Sequence, residues 1–293
     1  MSQDHRPNRV VLLGTKGGPA IRPGTGMPTA TLVQMDGMAV LVDAGLGAAR
    51  GVCDAGVPLE ALDAIVITHL HSDHYLELGP LLHTAWTAGL KRPIKVIGPE
   101  GLADYWRHFL ASMQFDVELR LRDEGRPHLA ALADIHVLAE GAQTLGPLTL
   151  HTLRNEHPPI DDSYALRFEG ADHRIVLSGD TAPMEAMIPF AKDADLLVHE
   201  AMLSAGIDAL CTRVGNGDER LRHHLERSHA PADQVGTIAT QAGVKQLALN
   251  HLVPVDDPDF TEAHWIAETR RTWDGPLHVG RDGLEILLPA SDS

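Results

Sequence analysis

Six residues constrain this chain more than any other feature. Directly after the apolar run Ala64-Ile65-Val66-Ile67 comes Thr68-His69-Leu70-His71-Ser72-Asp73-His74, three imidazoles and one carboxylate at the mouth of a strand. Imidazole and carboxylate are the ligands that borderline-soft divalent metals prefer. A loop that reverses direction can aim alternate residues at one ion and the next pair at a second. The pattern therefore predicts a metal site on the rim of a sheet, and a loop that is His-rich by accident is the weaker reading.

Four ligands on one loop cannot complete two coordination shells, so further His and Asp residues are expected at other strand ends. His157 follows the strand Leu148 to Leu153. Asp180 ends Ile175-Val176-Leu177 within Ser178-Gly179-Asp180-Thr181, and His251 ends Leu247-Ala248-Leu249-Asn250. Each lies at the carboxyl end of a strand, the rim where α/β sheets place their sites. With 18 His but only two Cys, the chain favours imidazole over thiolate sites. Cys53 and Cys211 are too few for a zinc knuckle or a disulfide framework and read as small core residues.

The remaining pattern is that of a single α/β domain spanning residues 1–293. Strands are expected at Val10 to Leu13, Thr31 to Met35, Ala39 to Val42, Ile65 to Ile67, Lys95 to Ile97, Tyr164 to Phe168, Arg174 to Leu177, Leu196 to Val198 and Gln246 to Leu249. Asp36-Gly37 signals a two-residue hairpin, and a closing hairpin is expected around Arg281-Asp282-Gly283. Helices are expected at Leu76 to Ala88, Gly101 to Met113, Met184 to Ala191, Pro231 to Ala242 and Thr261 to Thr272. Residues 204–228 read equally as a lid or a plain surface loop, with His223-His224 solvated by default.

Neither an apolar leader at residues 1–9 nor a run of the ~18 apolar residues that a membrane span needs is visible, so a cytoplasmic protein without membrane contact is expected. The formal net charge is −16. Such a balance repels polyanions, which argues against a nucleic-acid partner. Rival motifs fail on spacing: in Gly45 to Gly51 the third glycine is one place late for a dinucleotide fingerprint, His199-Glu200 lacks the second His of a zincin helix, and no serine elbow occurs.

The His-rich motif, the lone His157, Ser178-Gly179-Asp180-Thr181, His199-Glu200-Ala201 and Asn250-His251-Leu252 together resemble the metallo-β-lactamase fold. Within it, the chain is similar to the branch holding ribonuclease Z and the zinc-dependent arylsulfatases. The likeness runs from Leu13-Gly14-Thr15 through Leu41-Val42-Asp43-Ala44-Gly45 to the tail Glu268 to Leu277; that tail and Val96 to Gly101 look more arylsulfatase-like. It implies a four-layer αββα sandwich and two Zn2+, or another divalent transition metal. His69, His71 and His157 would take one ion, Asp73, His74 and His251 the other, with Asp180 bridging and Asp43 orienting a ligand histidine. Catalysis would rest on Asp73 and on His229, a proton donor backed by Glu200; the hydroxyl residue usual after that His is here Ala230.

From this resemblance the expected activity is hydrolysis of a small anionic ester, aryl sulfate or phosphodiester, by a metal-bridging hydroxide. A lactone, carboxylic ester or phosphotriester is the alternative on the same centre. A tRNA 3′-processing nuclease ranks lower, because Glu169-Gly170-Ala171-Asp172-His173 stands where those enzymes carry a long arm, and a non-enzymatic scaffold ranks lower still. Gly17 to Met27, Tyr75, Trp86 and residues 204–228 are the expected pocket walls. A homodimer is left open.

Overall fold

Where Gly, Pro and Asp punctuate the apolar runs, the chain breaks into strands that alternate their side chains between two faces. In a strand successive Cβ atoms point to opposite sides, so a run that is apolar at every position must be covered twice. The computed structural model describes residues 8–255 and 257–288. Of the N-terminal segment 1–9, residues 1–7 lie outside the described residues.

Two seven-stranded sheets result. The first contains β1 (Arg9–Gly14), β2 (Ala30–Met35), β3 (Met38–Val42), β4 (Ala64–Val66), β5 (Ile94–Gly98), β6 (Ala133–Val137) and β14 (Leu284–Leu287), in the order β14-β1-β2-β3-β4-β5-β6. The second contains β7 (Gly141–Leu145), β8 (Leu148–Arg154), β9 (Tyr164–Glu169), β10 (Arg174–Leu177), β11 (Leu196–Met202), β12 (Leu247–Val253) and β13 (Leu277–Val279), in the order β13-β12-β11-β10-β9-β8-β7. Helices α1 (Ala48–Asp54), α2 (Ser72–Tyr75), α3 (Leu78–Ala88), α4 (Leu102–Ser112) and α5 (Gln114–Asp123) follow the early strands. Later come α6 (Met187–Phe190), α7 (Ile207–Val214), α8 (Arg220–Ser228), α9 (Ala232–Ala242) and α10 (Glu262–Thr269).

The alternation in β4 shows how the layers form. Ala64 and Val66 point to the second sheet and pack with Leu166, Phe168, Ile175 and Leu196. Ile65, and Ile67 just beyond the strand, point the other way, onto Leu78, Leu81, Leu82 and Trp86 of α3. On the far side of the second sheet, Val176, Leu197 and Leu249 meet Val235, Ile238 and Ala239 of α9 and Trp265 of α10. Each such side chain contributes about 1.5–3 kcal/mol when fully buried. Four layers, α, β, β and α, are what the resemblance implied. Among the described residues, no helix is long and apolar enough to cross a membrane.

The Asp36-Gly37 hairpin is present, with φ of 49° and 83° at its two central residues and Met35 paired to Met38. Positive φ at both positions is the signature of a type I′ turn, which Gly adopts without steric cost. The hairpin expected around Arg281-Asp282-Gly283 does not form. β13 pairs with β12 in one sheet and β14 with β1 in the other, so this turn crosses between layers. Asp282 fixes the crossing by accepting hydrogen bonds from the Thr15 N–H and hydroxyl and from the Met27 N–H.

Further corrections have simple causes. Cys53 is exposed and so is not a core residue, whereas Cys211 is half-buried and packs against the small cluster under α7 and α8. α5 was not expected because it buries no residue fully and only Val117 and Leu121 pack partly against the core; Arg120 pairs along it with Asp116 and Glu124 at four-residue spacing. β6, an edge strand with an exposed Val137, lacks the pattern of a covered strand. Residues 204–228 fold into α7 and α8, held by a small cluster of Met202, Ile207, Leu225 and Val253.

Candidate metal centre

The His-rich segment leaves β4, and its end folds as the single turn α2, where Asp73 and His74 are buried, while His69 and His71 precede it. That loop lies so close to the 43–45 segment that a Cβ on Gly45 would sit 2.4 Å from the Asp73 carbonyl oxygen and 2.8 Å from that of Thr29. Only glycine permits this approach. The Ala44 N–H donates to the His74 carbonyl at 2.6 Å, joining the two segments.

All seven expected ligands come together in two groups that share Asp180. His69, His71, His157 and Asp180 form one group; Asp73, His74, Asp180 and His251 form the other, with donor atoms in each within 4.8 Å of one another. Asp180 Oδ2 lies 3.7 and 3.9 Å from Nε2 of His69 and His157, and 3.2 and 3.1 Å from Nε2 of His74 and His251. One oxygen thus faces two imidazoles of each group. On the first side, His71 Nδ1 is 3.1 Å from His69 Nε2 and 3.0 Å from His157 Nε2.

The strand ends supply the remaining geometry. His251 sits on a bulge of β12, where Asn250 pairs with Glu200 but Leu252 already pairs with Ala201. Its φ is 42°, a strained value that turns the ring inward. Asp43, with φ of 60°, is strained likewise.

Asp43 acts on two histidines at once. His74 Nδ1 donates to Asp43 Oδ2 at 2.8 Å. The Thr68 hydroxyl lies 3.0 Å from the same oxygen and 3.1 Å from His69 Nδ1, so it can donate to the carboxylate while accepting from the ring. The Nδ1 of His157 is 3.0 Å from the Ser228 carbonyl at the end of α8. With Nδ1 engaged in each of these rings, the Nε2 lone pairs are directed at the cluster. Asp73 Oδ2 accepts from the Gly18 N–H at 2.8 Å.

The electrostatics fit cations. Burial pushes His69 well below the ordinary histidine value and pushes His157 down to about 4, leaving both rings neutral and able to coordinate. Burial also opposes a charge on His74, but Asp180, Asp43 and Asp73 hold it well above the ordinary value. The carboxylates demand positive charge at this point. Burial opposes ionisation of Asp180 too, yet His251 and His74 keep its carboxyl well below the usual carboxylate range. His74 Nε2 is buried without a hydrogen bond, as suits an atom reserved for a metal.

Glu200 and His229 adjoin this cluster. Glu200 Oε1 accepts from the N–H of Thr181 and of Ala230, each at 3.1 Å, and lies 3.3 Å from His229 Nδ1. One oxygen therefore ties the residue after Asp180 to the residue after His229. The Ala230 bond is made by the backbone and needs no hydroxyl. Burial pulls His229 down, but Glu200 and the more distant Asp180 and Asp73 raise it above the ordinary value.

A cavity of about 380 Å³ opens onto Asp73, Asp180, His229 and His251. Its walls are Lys16 to Ala20 and Arg22 on one side, and Leu210, Val214, Leu221, His224 and Leu225 on the other. The expected walls at residues 17–27 and 204–228 are there in part. Trp86 is instead fully buried, donating to the Pro127 carbonyl, and Tyr75 packs edge-on against Tyr105. His224 is not a solvated residue: its ring stands 6.0 to 6.2 Å from those of His71, His157 and His229. The signal was helical phase, since Leu221, His224, Leu225 and Ser228 share one face.

Comparison with known proteins bears directly on function. The family model described as Anti-Pycsar protein Apyc1 matches residues 9–251. Ribonuclease Z of Mycobacterium sp. (strain KMS) is 32% identical over 278 residues, covering 93% of each chain. The metallo-β-lactamase fold protein YhfI of Bacillus subtilis superimposes with a TM-score of 0.70 at 23% identity, over 96% of this chain and 100% of that one. The short form of human tRNase Z gives 0.67 at 20%, over 96% and 100%.

These findings overturn the expectation of a small anionic ester substrate and of no nucleic-acid partner, and they do not show the arylsulfatase-like branch. The charge argument fails for a physical reason. A net charge sums the whole exterior, where screening acts within ~8–10 Å. Lys16, Arg22 and four imidazoles line the cavity, a local balance unlike that of the whole exterior.

Proposed function

The chain belongs to the Anti-Pycsar protein Apyc1 family, among metal-dependent hydrolases of the metallo-β-lactamase fold with ribonuclease Z relatives, and from that footing we propose that it hydrolyses phosphodiester bonds of RNA. The observation that carries the reading is Asp180 Oδ2, set within 3.9 Å of four imidazole nitrogens, with the Glu200–His229 pair beside it. His69, His71 and His157 would hold one ion, Asp73, His74 and His251 a second, and Asp180 both. Zinc suits this nitrogen-rich set. Bound there, two divalent cations supply a nucleophile at neutral pH and withdraw charge from the phosphoryl oxygens.

The chain's own groups do the rest. Asp43, Thr68 and the Ser228 carbonyl keep three imidazoles in the tautomer that presents Nε2. As water adds to phosphorus and the bond to the departing ribose oxygen breaks, that oxygen needs a proton. His229 gives it, with Glu200 fixing the ring and favouring its charged form. Cleavage of a 3′-extended precursor tRNA by the metal-supplied protein tests the reading. Shortened RNA with wild type and none with Asp180→Ala is the expected result; uncut RNA from protein carrying its full metal complement rejects it.

A further inference from the structure

β9 and β10 are joined by residues 170–173 alone, and the cavity beside the cluster is walled by residues 16–22 and by α7 and α8. At about 380 Å³ it lies at the small end of ligand pockets, ~300–1,000 Å³, with room for one nucleotide rather than a stretch of chain. Its two sides differ chemically. The 16–22 side carries Lys16 and Arg22, whereas α7 and α8 offer Leu210, Val214, Leu221 and Leu225, continued by Val253 of β12.

His224 stands on α8 between that apolar wall and the metal cluster. Its ring lies 6.1 Å from that of His71, 6.2 Å from that of His157 and 6.0 Å from that of His229. It therefore overlooks both a candidate metal ligand set and the candidate proton donor. Among the described residues, no protein group makes a hydrogen bond with its ring nitrogens, although it is half-buried and lines the cavity. Nor is α8 a loose lid. Its last residue, Ser228, accepts from His157 Nδ1 through its carbonyl and donates from its hydroxyl to the Pro158 carbonyl at 2.7 Å. A side chain one turn earlier is thereby held in register with the cluster.

Resting on the RNA reading above, we propose that α7 and α8 form a single-nucleotide subsite: His224 hydrogen-bonds a phosphoryl oxygen of the substrate, and the adjoining leucine wall takes the base. His224 is thus a substrate-binding residue, distinct from the metal ligands and the proton donor. A planar, apolar-faced base suits a wall of branched aliphatic side chains, and a phosphate suits an imidazole donor.

Adenosine 5′-monophosphate and inorganic phosphate, titrated into zinc-supplied full-length protein, test the proposal. His224→Ala should keep the wild-type metal content and melting temperature, weaken both probes about tenfold, the scale of one lost hydrogen bond to a charged group, and raise KM more than it lowers kcat. His224→Asn, which retains a donor, should recover part of the loss. Leu221→Ala should weaken the nucleotide while sparing inorganic phosphate, and His223→Ala, on the exposed face of α8, should change neither. Wild-type affinity for both probes in His224→Ala overturns the proposal, as does loss of metal in that variant. If wild type leaves RNA intact yet His224→Ala weakens both probes, the RNA reading falls and the subsite stands; cleavage of RNA with unchanged affinities is the reverse.

Discussion

Asp43 Oδ2 lies 2.8 Å from His74 Nδ1, and both side chains are almost fully buried. Through Thr68 the same carboxylate also reaches His69, so one residue outside the two candidate ligand groups touches a ring of each. Asp43→Asn keeps the shape but removes the charge that holds the His74 proton on Nδ1. Metal affinity should fall about 10–100-fold, as for other losses of a carboxylate behind a ligand histidine. Competition against a chromogenic chelator measures it, and unchanged affinity would remove the orienting role.

Asp180→Ala deletes the oxygen common to both groups. Bound metal should drop below two ions per chain and hydrolysis should fall to background, read by elemental analysis and RNA cleavage on the same sample. Full metal content in this variant would contradict the bridging position.

Stripping the metals should abolish cleavage and lower the melting temperature, because buried Asp73 and Asp180 would lose partners other than imidazole. Zinc added back should restore both. A metal-stripped sample that melts like wild type and still cleaves RNA would rule out a metal-dependent site.

His229→Ala should leave metal content intact while slowing turnover about 10²–10⁴-fold, the usual range for a positioned acid. The loss should be greatest for phosphodiesters with a poor leaving group. Equal losses with p-nitrophenyl and alkyl leaving groups would assign His229 to something other than proton delivery.

Gly45→Ala tests how tightly the His-rich loop is seated. The added methyl meets the Asp73 and Thr29 carbonyl oxygens at 2.4 and 2.8 Å, so the loop must shift. A stability loss of about 1–3 kcal/mol is expected, as for other overpacked sites, together with weaker metal binding. A wild-type melting temperature would show that the loop has slack.

Much of this was legible in the residues. The residues that gather into the two candidate groups could be read because metal chemistry narrows the usable side chains to a few types, and because strand ends can be recognised from apolar runs that stop at Gly or Asp. Pairing in the last hairpin was not legible, since Arg281-Asp282-Gly283 forms a turn equally well within one sheet or between two. His224 was missed for a related reason. Taken singly, a histidine in a charged run is a surface residue; only the phase of α8 turns it inward.

The sequence by itself determined the composition of the centre and the strands whose ends carry it. Tertiary structure alone decided what that centre faces. The bulge that turns His251 inward, the single Asp180 oxygen between the two groups and the wall made by α7 and α8 all depend on how distant segments pack. Net charge, a sum over the surface, does not report the potential inside one cavity, because screening confines the reach of each charge to its own neighbourhood.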